Sequence, residues 1–267
     1  MINGVQTALN SVLGSVALLN SANGAGRIFE LFIMTGVGVR LQGMGFDVWL
    51  QRSDGTRILP NEPTRTFVQR GGAPSGIPPA SAGPGNASVI GIRKLSTGSE
   101  WEIWNGIQFE GRSGAAHEID IAVVPRAVGV ALRQTGGGLP FGRPRVAIEC
   151  KDVGHPGSVD EMRAFVARLY DLTVLQWHQP HLPFPPPAQG IYPGMTGSTS
   201  FYSAQGTYWN ENRHTFNAIA RRTGFALGAA AMSGYYAIEP HGFITLGSTG
   251  AASLVDAICQ WIVSYCP

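Results

Sequence analysis

Lysine is almost missing from this chain: Lys94 and Lys151 are the only two among 267 residues, against 17 arginines. Charged side chains of every kind amount to 13% and the formal net charge is +2. That share is about half of the roughly 25% usual in soluble domains. So small a surplus excludes a polycationic nucleic-acid binder, and any phosphate-binding surface must come from local clusters, for which the planar guanidinium fork is well suited. Cysteine is scarce too. Cys150, Cys259 and Cys266 form no C-x-x-C pair and leave one thiol over in any disulfide scheme, which points to a reducing compartment, the cytoplasm.

Other absences narrow the chemistry. The six histidines show no H-E-x-x-H zinc spacing, no G-x-S-x-G elbow supports a serine hydrolase, and Gly111-Arg112-Ser113-Gly114 lacks the Lys-Ser/Thr of a phosphate-binding P-loop and reads as a turn. The apolar stretch from Val5 to Leu19 has no Lys or Arg before it, is interrupted by Asn10, Ser11 and Ser15, and is too short to span a bilayer. No membrane association is expected. Val5, Leu9, Val12, Leu13, Val16 and Leu19 instead recur at helical spacing.

Glycine (36) and proline (18), by contrast, are plentiful. They concentrate in two stretches, about 60–98 and 178–197, read as loop insertions in a single domain whose core runs over about 24–176 and is completed by strands and helices in 198–267. The pattern predicts a helix from about Ala25 to Gln42, a strand from Phe46 to Gln51, and an antiparallel meander of Trp101–Phe109, His117–Val124 and Arg145–Cys150. Ser158-Val159-Asp160-Glu161 is a capping box that opens a helix with an apolar stripe of Met162, Phe165, Val166, Leu169 and Leu172. Further on, a strand is expected near Thr199–Ser203, a helix over about Asn210–Thr223, a strand near Ala226–Met232 and a terminal helix near Ala251–Tyr265.

The chemistry gathers on the meander. Lys151 closes Ala147-Ile148-Glu149-Cys150-Lys151. On a strand, residues two apart share a face, so Glu149 and Lys151 project together while Ile148 and Cys150 turn into packing. Ten glutamates and two lysines in 267 residues would give only about 0.07 chance E-x-K elements, because lysine is so rare against average usage. A surface ion pair is the alternative reading of the two side chains. In His117-Glu118-Ile119-Asp120-Ile121 the same period puts Glu118 and Asp120 on one face and His117, Ile119 and Ile121 on the other. If the strands are neighbours, Asp120 stands beside Glu149 and Lys151. Converging carboxylates call for a cation, and hard oxygen donors select Mg²⁺ or Mn²⁺.

This order of helix, Asp and Glu-x-Lys resembles the PD-(D/E)xK nuclease superfamily, over roughly Gly26 to Leu172, with Ile119-Asp120 standing where the family has Pro-Asp. The resemblance implies an α/β fold with a restriction-endonuclease-like αβββαβ core, a mixed central sheet flanked by helices, here carrying Gly/Pro-rich insertions. It implies Asp120 and Glu149 as metal ligands, Lys151 as the catalytic lysine, and Glu30, on the helix that comes first in the family's core, as an accessory ligand or second-metal carboxylate. Glu30 reads equally as a helix-surface group. Arg112, Arg163 and Arg168 either contact phosphates or stay solvated, Glu118 either joins the metal shell or meets solvent, and His117 bonds locally. The activity implied is Mg²⁺-dependent hydrolysis of DNA phosphodiester bonds in prokaryotic restriction or antiphage defence, by a homodimer or larger assembly. No residue excludes RNA, and a catalytically silent nucleic-acid-binding or assembly module on the same fold is the alternative.

Overall fold

The computed structural model describes residues 1–21, 25–69, 87–111, 113–134, 139–140, 144–172 and 215–266. The expected strand near Thr199, the second insertion, the middle of the first, and Arg112 lie outside these residues.

The chain opens with helix α1 (Ile2–Leu13), which buries Val5, Leu9, Val12 and Leu13. The helical spacing read through to Leu19 does not hold past Leu13. Gly14 ends the helix in the left-handed conformation at φ 69°, where glycine carries no Cβ penalty. The Asn10 side chain then accepts the Ala17 N–H at 2.9 Å, so Val16 and Leu18 are left exposed and strand β1 (Leu18–Ser21) begins. Helix α2 (Ala25–Gly43) follows, nearly as its spacing predicts. Its glycines, unfavourable by about 1 kcal/mol each against alanine, let it lie close to its neighbours: a Cβ at Gly38 would sit 3.2 Å from Ile90 Cδ1.

Strand β2 (Phe46–Gln51) spans the residues expected. The region read as a loop insertion instead supplies two strands, β3 (Thr66–Gln69) and β4 (Val89–Lys94). The run Val89-Ile90-Gly91-Ile92 is apolar enough for a buried strand, and Gly91 is open because the Trp49 indole lies across it, within 2.1 Å of where a Cβ would be. The meander is observed as β5 (Glu100–Glu110), β6 (Ala116–Pro125) and β7 (Val146–Lys151), successively antiparallel. Between β6 and β7 lies helix α3 (Arg126–Gln134), whose Val128, Ala131 and Leu132 signal was overlooked. It docks through a buried ion pair of Arg133 with Glu102 of β5.

Helix α4 (Val159–Asp171) begins at the expected capping box, with Ser158 and Glu161 bonded reciprocally. It buries Met162, Phe165, Val166 and Leu169, each contributing about 1.5–3 kcal/mol. The next two expectations are exchanged. Phe216–Arg221, expected as part of a helix, is strand β8, buried at every residue and parallel to β7. Because it is packed on both faces it shows no polar alternation. The stretch near Ala226–Met232, expected as a strand, lies in helix α5 (Leu227–Tyr235), which buries only Ala229 and Ser233, four residues apart; alanine favours the helix. Edge strand β9 (Glu239–His241) and helix α6 (Thr249–Tyr265) complete the chain.

The protein is thus mixed α/β. A seven-stranded mixed sheet runs β2-β4-β5-β6-β7-β8-β9, antiparallel from β2 to β7 and parallel from β7 to β9, beside a small parallel β1–β3 pair. Helices α1, α2 and α6 cover one face around Phe29, Met34, Ile148 and Ile258; α3, α4 and α5 cover the other around Phe109, Ala147, Phe165 and Leu169. The three cysteines are free and buried. No helix among the described residues is long and apolar enough to cross a membrane.

Candidate active site

Strands β5 and β6 are distorted at one point. Pairing runs through Asn105↔Ile121 and resumes at Ile107↔Ile119, skipping Gly106 and Asp120, and Gly106 has φ 62°. On a regular strand Ile119 and Ile121 would share a face. Here Ile119 packs with α4 and Ile121 with α2, which corrects the alternation read from the sequence. The β6–β7 ladder stops at the same place, its last pair being Ile121↔Ile148. Beyond it a side chain replaces a main-chain carbonyl: Asp120 Oδ2 accepts the Cys150 N–H at 2.7 Å.

Glu149 and Lys151 share a face of β7, as the period of two requires, while Ile148 and Cys150 pack on the α2 side. Glu149 is 1% exposed. Its Oε1 accepts from Arg168 Nη2 of α4 at 2.6 Å and forms an ion pair with Lys151 Nζ. Its Oε2 is buried and receives no hydrogen bond. Burial works against the Lys151 ammonium, but the Glu149 carboxylate outweighs it and holds Lys151 above the ordinary lysine range. Asp120, partly buried, is pushed up to about 8, first by burial and then by the negative charges of Glu149 and Glu30; the Cys150 N–H and Lys151 oppose the shift.

Glu30 approaches from α2 on the other side. It is 7% exposed, and burial raises its pKa despite hydrogen bonds from Asn105 and the charge of Arg27. Asn105 Nδ2 donates both to Glu30 Oε2 at 2.7 Å and to the Asp120 carbonyl at 3.0 Å, while its Oδ1 accepts from Gln69 Nε2 at 3.0 Å. Glu30 and Asp120 are therefore joined by an amide that the sequence reading passed over. The signal was there: Asn105 is an amide followed by glycine at the middle of β5, between Trp104 and Ile107. Arg27 was missed too, though it stands three residues before Glu30 and bonds it at 3.1 Å and Glu118 at 2.9 Å.

Of the arginines considered for phosphate contact, Arg168 is turned inward, with Nη2 on Glu149 and Nη1 on the Glu118 carbonyl at 3.1 Å. Arg163 is exposed on α4 and paired with Asp160 at 2.9 Å. Glu118 bonds Arg27, not solvent alone. His117 bonds Asp171 at 2.5 Å, a local role.

Among the described residues no three His, Cys, Asp or Glu side chains gather as a ligand set. Two carboxylates do meet the needs of Mg²⁺, which commonly takes one or two and keeps several waters. The unpartnered, buried Oε2 of Glu149, and the burial and neighbouring negative charge that raise Asp120, both fit a divalent cation at this point. No family model matches this chain, and neither a curated protein nor a solved structure does.

Proposed function

We propose that the chain is a metal-dependent endonuclease that hydrolyses DNA phosphodiester bonds, with α2, β5, β6, β7, α4 and β8 as a restriction-endonuclease-like αβββαβ core. The observation that carries this reading is the meeting of Asp120, Glu149 and Lys151 where β6 and β7 part, with one carboxylate oxygen buried and unpartnered.

Asp120 and Glu149 would hold a Mg²⁺ or Mn²⁺ ion. When bound, such an ion polarises a phosphoryl oxygen and acidifies water. Lys151 Nζ, kept charged by Glu149, orients the attacking water and stabilises negative charge developing on the phosphate. Arg168 locks Glu149 in its rotamer, and Glu30 acts through Asn105 on the placing of Asp120. In-line attack leaves a 5′-phosphate and a 3′-hydroxyl. Cutting both strands of a duplex calls for two sites, which a two-fold homodimer supplies. Restriction or antiphage defence in a prokaryote is the setting that the resemblance implies.

Supercoiled plasmid and RNA, each incubated with Mg²⁺, Mn²⁺ or EDTA, test the proposal. Cleavage requiring the metal and lost in Asp120→Ala and Lys151→Ala is expected, and metal-independent cutting or active variants would overturn it. One observation favours a module that binds without cutting: Glu149 Oε1 already carries two cationic partners. Tight DNA binding with no cleavage in any metal would establish that reading.

A further inference from the structure

The strongest unexplained feature lies two strands from Lys151. Phe243 has φ 57°, a conformation in which a bulky side chain is a genuine outlier, and such outliers gather at functional sites. The residue is nevertheless 72% exposed, so burial does not offset the unfavourable backbone. The ring rests over Gly224, where a Cβ would come within 2.9 Å of Phe243 Cζ. Any other residue at 224 would push it away.

The main chain ties this ring to the proposed cleavage site. Lys151 O accepts the Arg222 N–H at 3.2 Å, and Thr223 O accepts the Phe243 N–H at 3.3 Å. The extensions of β7, β8 and β9 thus lie side by side, and two strand spacings put Phe243 about 10 Å from the β7 backbone, the span of about three stacked nucleotides. Between them stands Arg222, whose Nε is paired with Asp152 at 3.2 Å and whose side chain is 46% exposed. A half-exposed guanidinium one residue before Thr223, whose carbonyl holds Phe243, together with an exposed aromatic ring is the combination that holds phosphate and base of a single strand.

We propose that Phe243 is a stacking platform for an unpaired base flanking the scissile phosphodiester, so that the substrate has a single-stranded stretch at the site. The inference rests on the nuclease reading and adds its substrate form.

The test uses the full chain carrying Lys151→Ala, in Mg²⁺, so that the nucleic acid stays intact. A single-stranded oligonucleotide with 2-aminopurine is titrated, binding being read by anisotropy and stacking by quenching of the base. Phe243→Leu keeps apolar bulk without a π face, and Phe243→Trp keeps the face. Loss of one stacked base corresponds to about 5- to 150-fold weaker binding. The leucine variant should bind at least fivefold more weakly with the quench lost, the tryptophan variant should retain both, and a fully paired duplex should show no quench. Equal affinity and equal quench in the leucine variant would overturn the platform and leave the nuclease reading standing. Failure of every nucleic acid to bind would overturn both.

Discussion

Asp120 Oδ2 takes the Cys150 N–H at 2.7 Å at the point where the β6–β7 ladder ends. An acid thus stands where the next rung of a sheet would be, hydrogen-bonded to the middle residue of Glu149-Cys150-Lys151. One bond positions the carboxylate and leaves it beside Glu149, and the electrostatic consequence can be measured.

A carboxyl whose folded pKa of about 8 exceeds the unfolded value of about 3.9 favours folding while protonated. Its contribution is full below about pH 4 and is lost as pH rises through about 8. Asp120→Asn keeps an acceptor for Cys150 and removes the titration. Between pH 5 and 8 the native chain should lose on the order of 3 kcal/mol that the variant keeps, measured by urea unfolding in EDTA. Parallel pH profiles would contradict the assignment. Mg²⁺ at pH 8 should restore stability to the native chain alone.

Lys151→Ala should lower the single-turnover cleavage rate by about 10²- to 10⁴-fold, the range for losing one acid–base or charge-stabilising group. DNA affinity in Mg²⁺ should change far less, because the metal ligands remain. A matched fall in affinity and rate would assign Lys151 to binding.

Arg168→Ala leaves the buried Glu149 with Lys151 as its one cationic partner. A destabilisation of about 2 kcal/mol is expected, below the figure for a fully buried pair because Arg168 keeps some contact with solvent. Adding Glu149→Gln should recover part of it, since the penalty comes from the stranded charge. Strict additivity in that double-mutant cycle would place the two residues in separate networks.

Asn105→Ala removes the amide that links Glu30 to Asp120. Leaving buried acceptors short of a donor costs about 1–3 kcal/mol. Cleavage should also fall and its pH dependence should shift, because Glu30 and Asp120 repel each other. A stability loss with unchanged pH dependence would limit Asn105 to packing.

The face shared by Glu149 and Lys151 was legible in the chain, as were α2, β2, the meander and the capping box of α4. Each rests on a period of two or 3.6, or on a bond three residues long, and such relations are complete within one segment. Arg168 belonged to an exposed helix face in that reading, and only its packing against β7 turns it to Glu149.

Other features could not be read locally. The side that Asp120 faces depends on a distortion shared with Gly106 of the neighbouring strand, and its bond to Cys150 on where a third strand stops pairing. β8 and α5 were exchanged because a strand buried on both faces has no polar alternation, and an alanine-rich helix touching its neighbours at two residues has no stripe. The sequence by itself determined which side chains carry charge and how they repeat along each element. The tertiary structure alone decided which repeats meet, because facing and pairing belong to contacts between segments, and the proposed site is built from five segments, α2, β5, β6, β7 and α4.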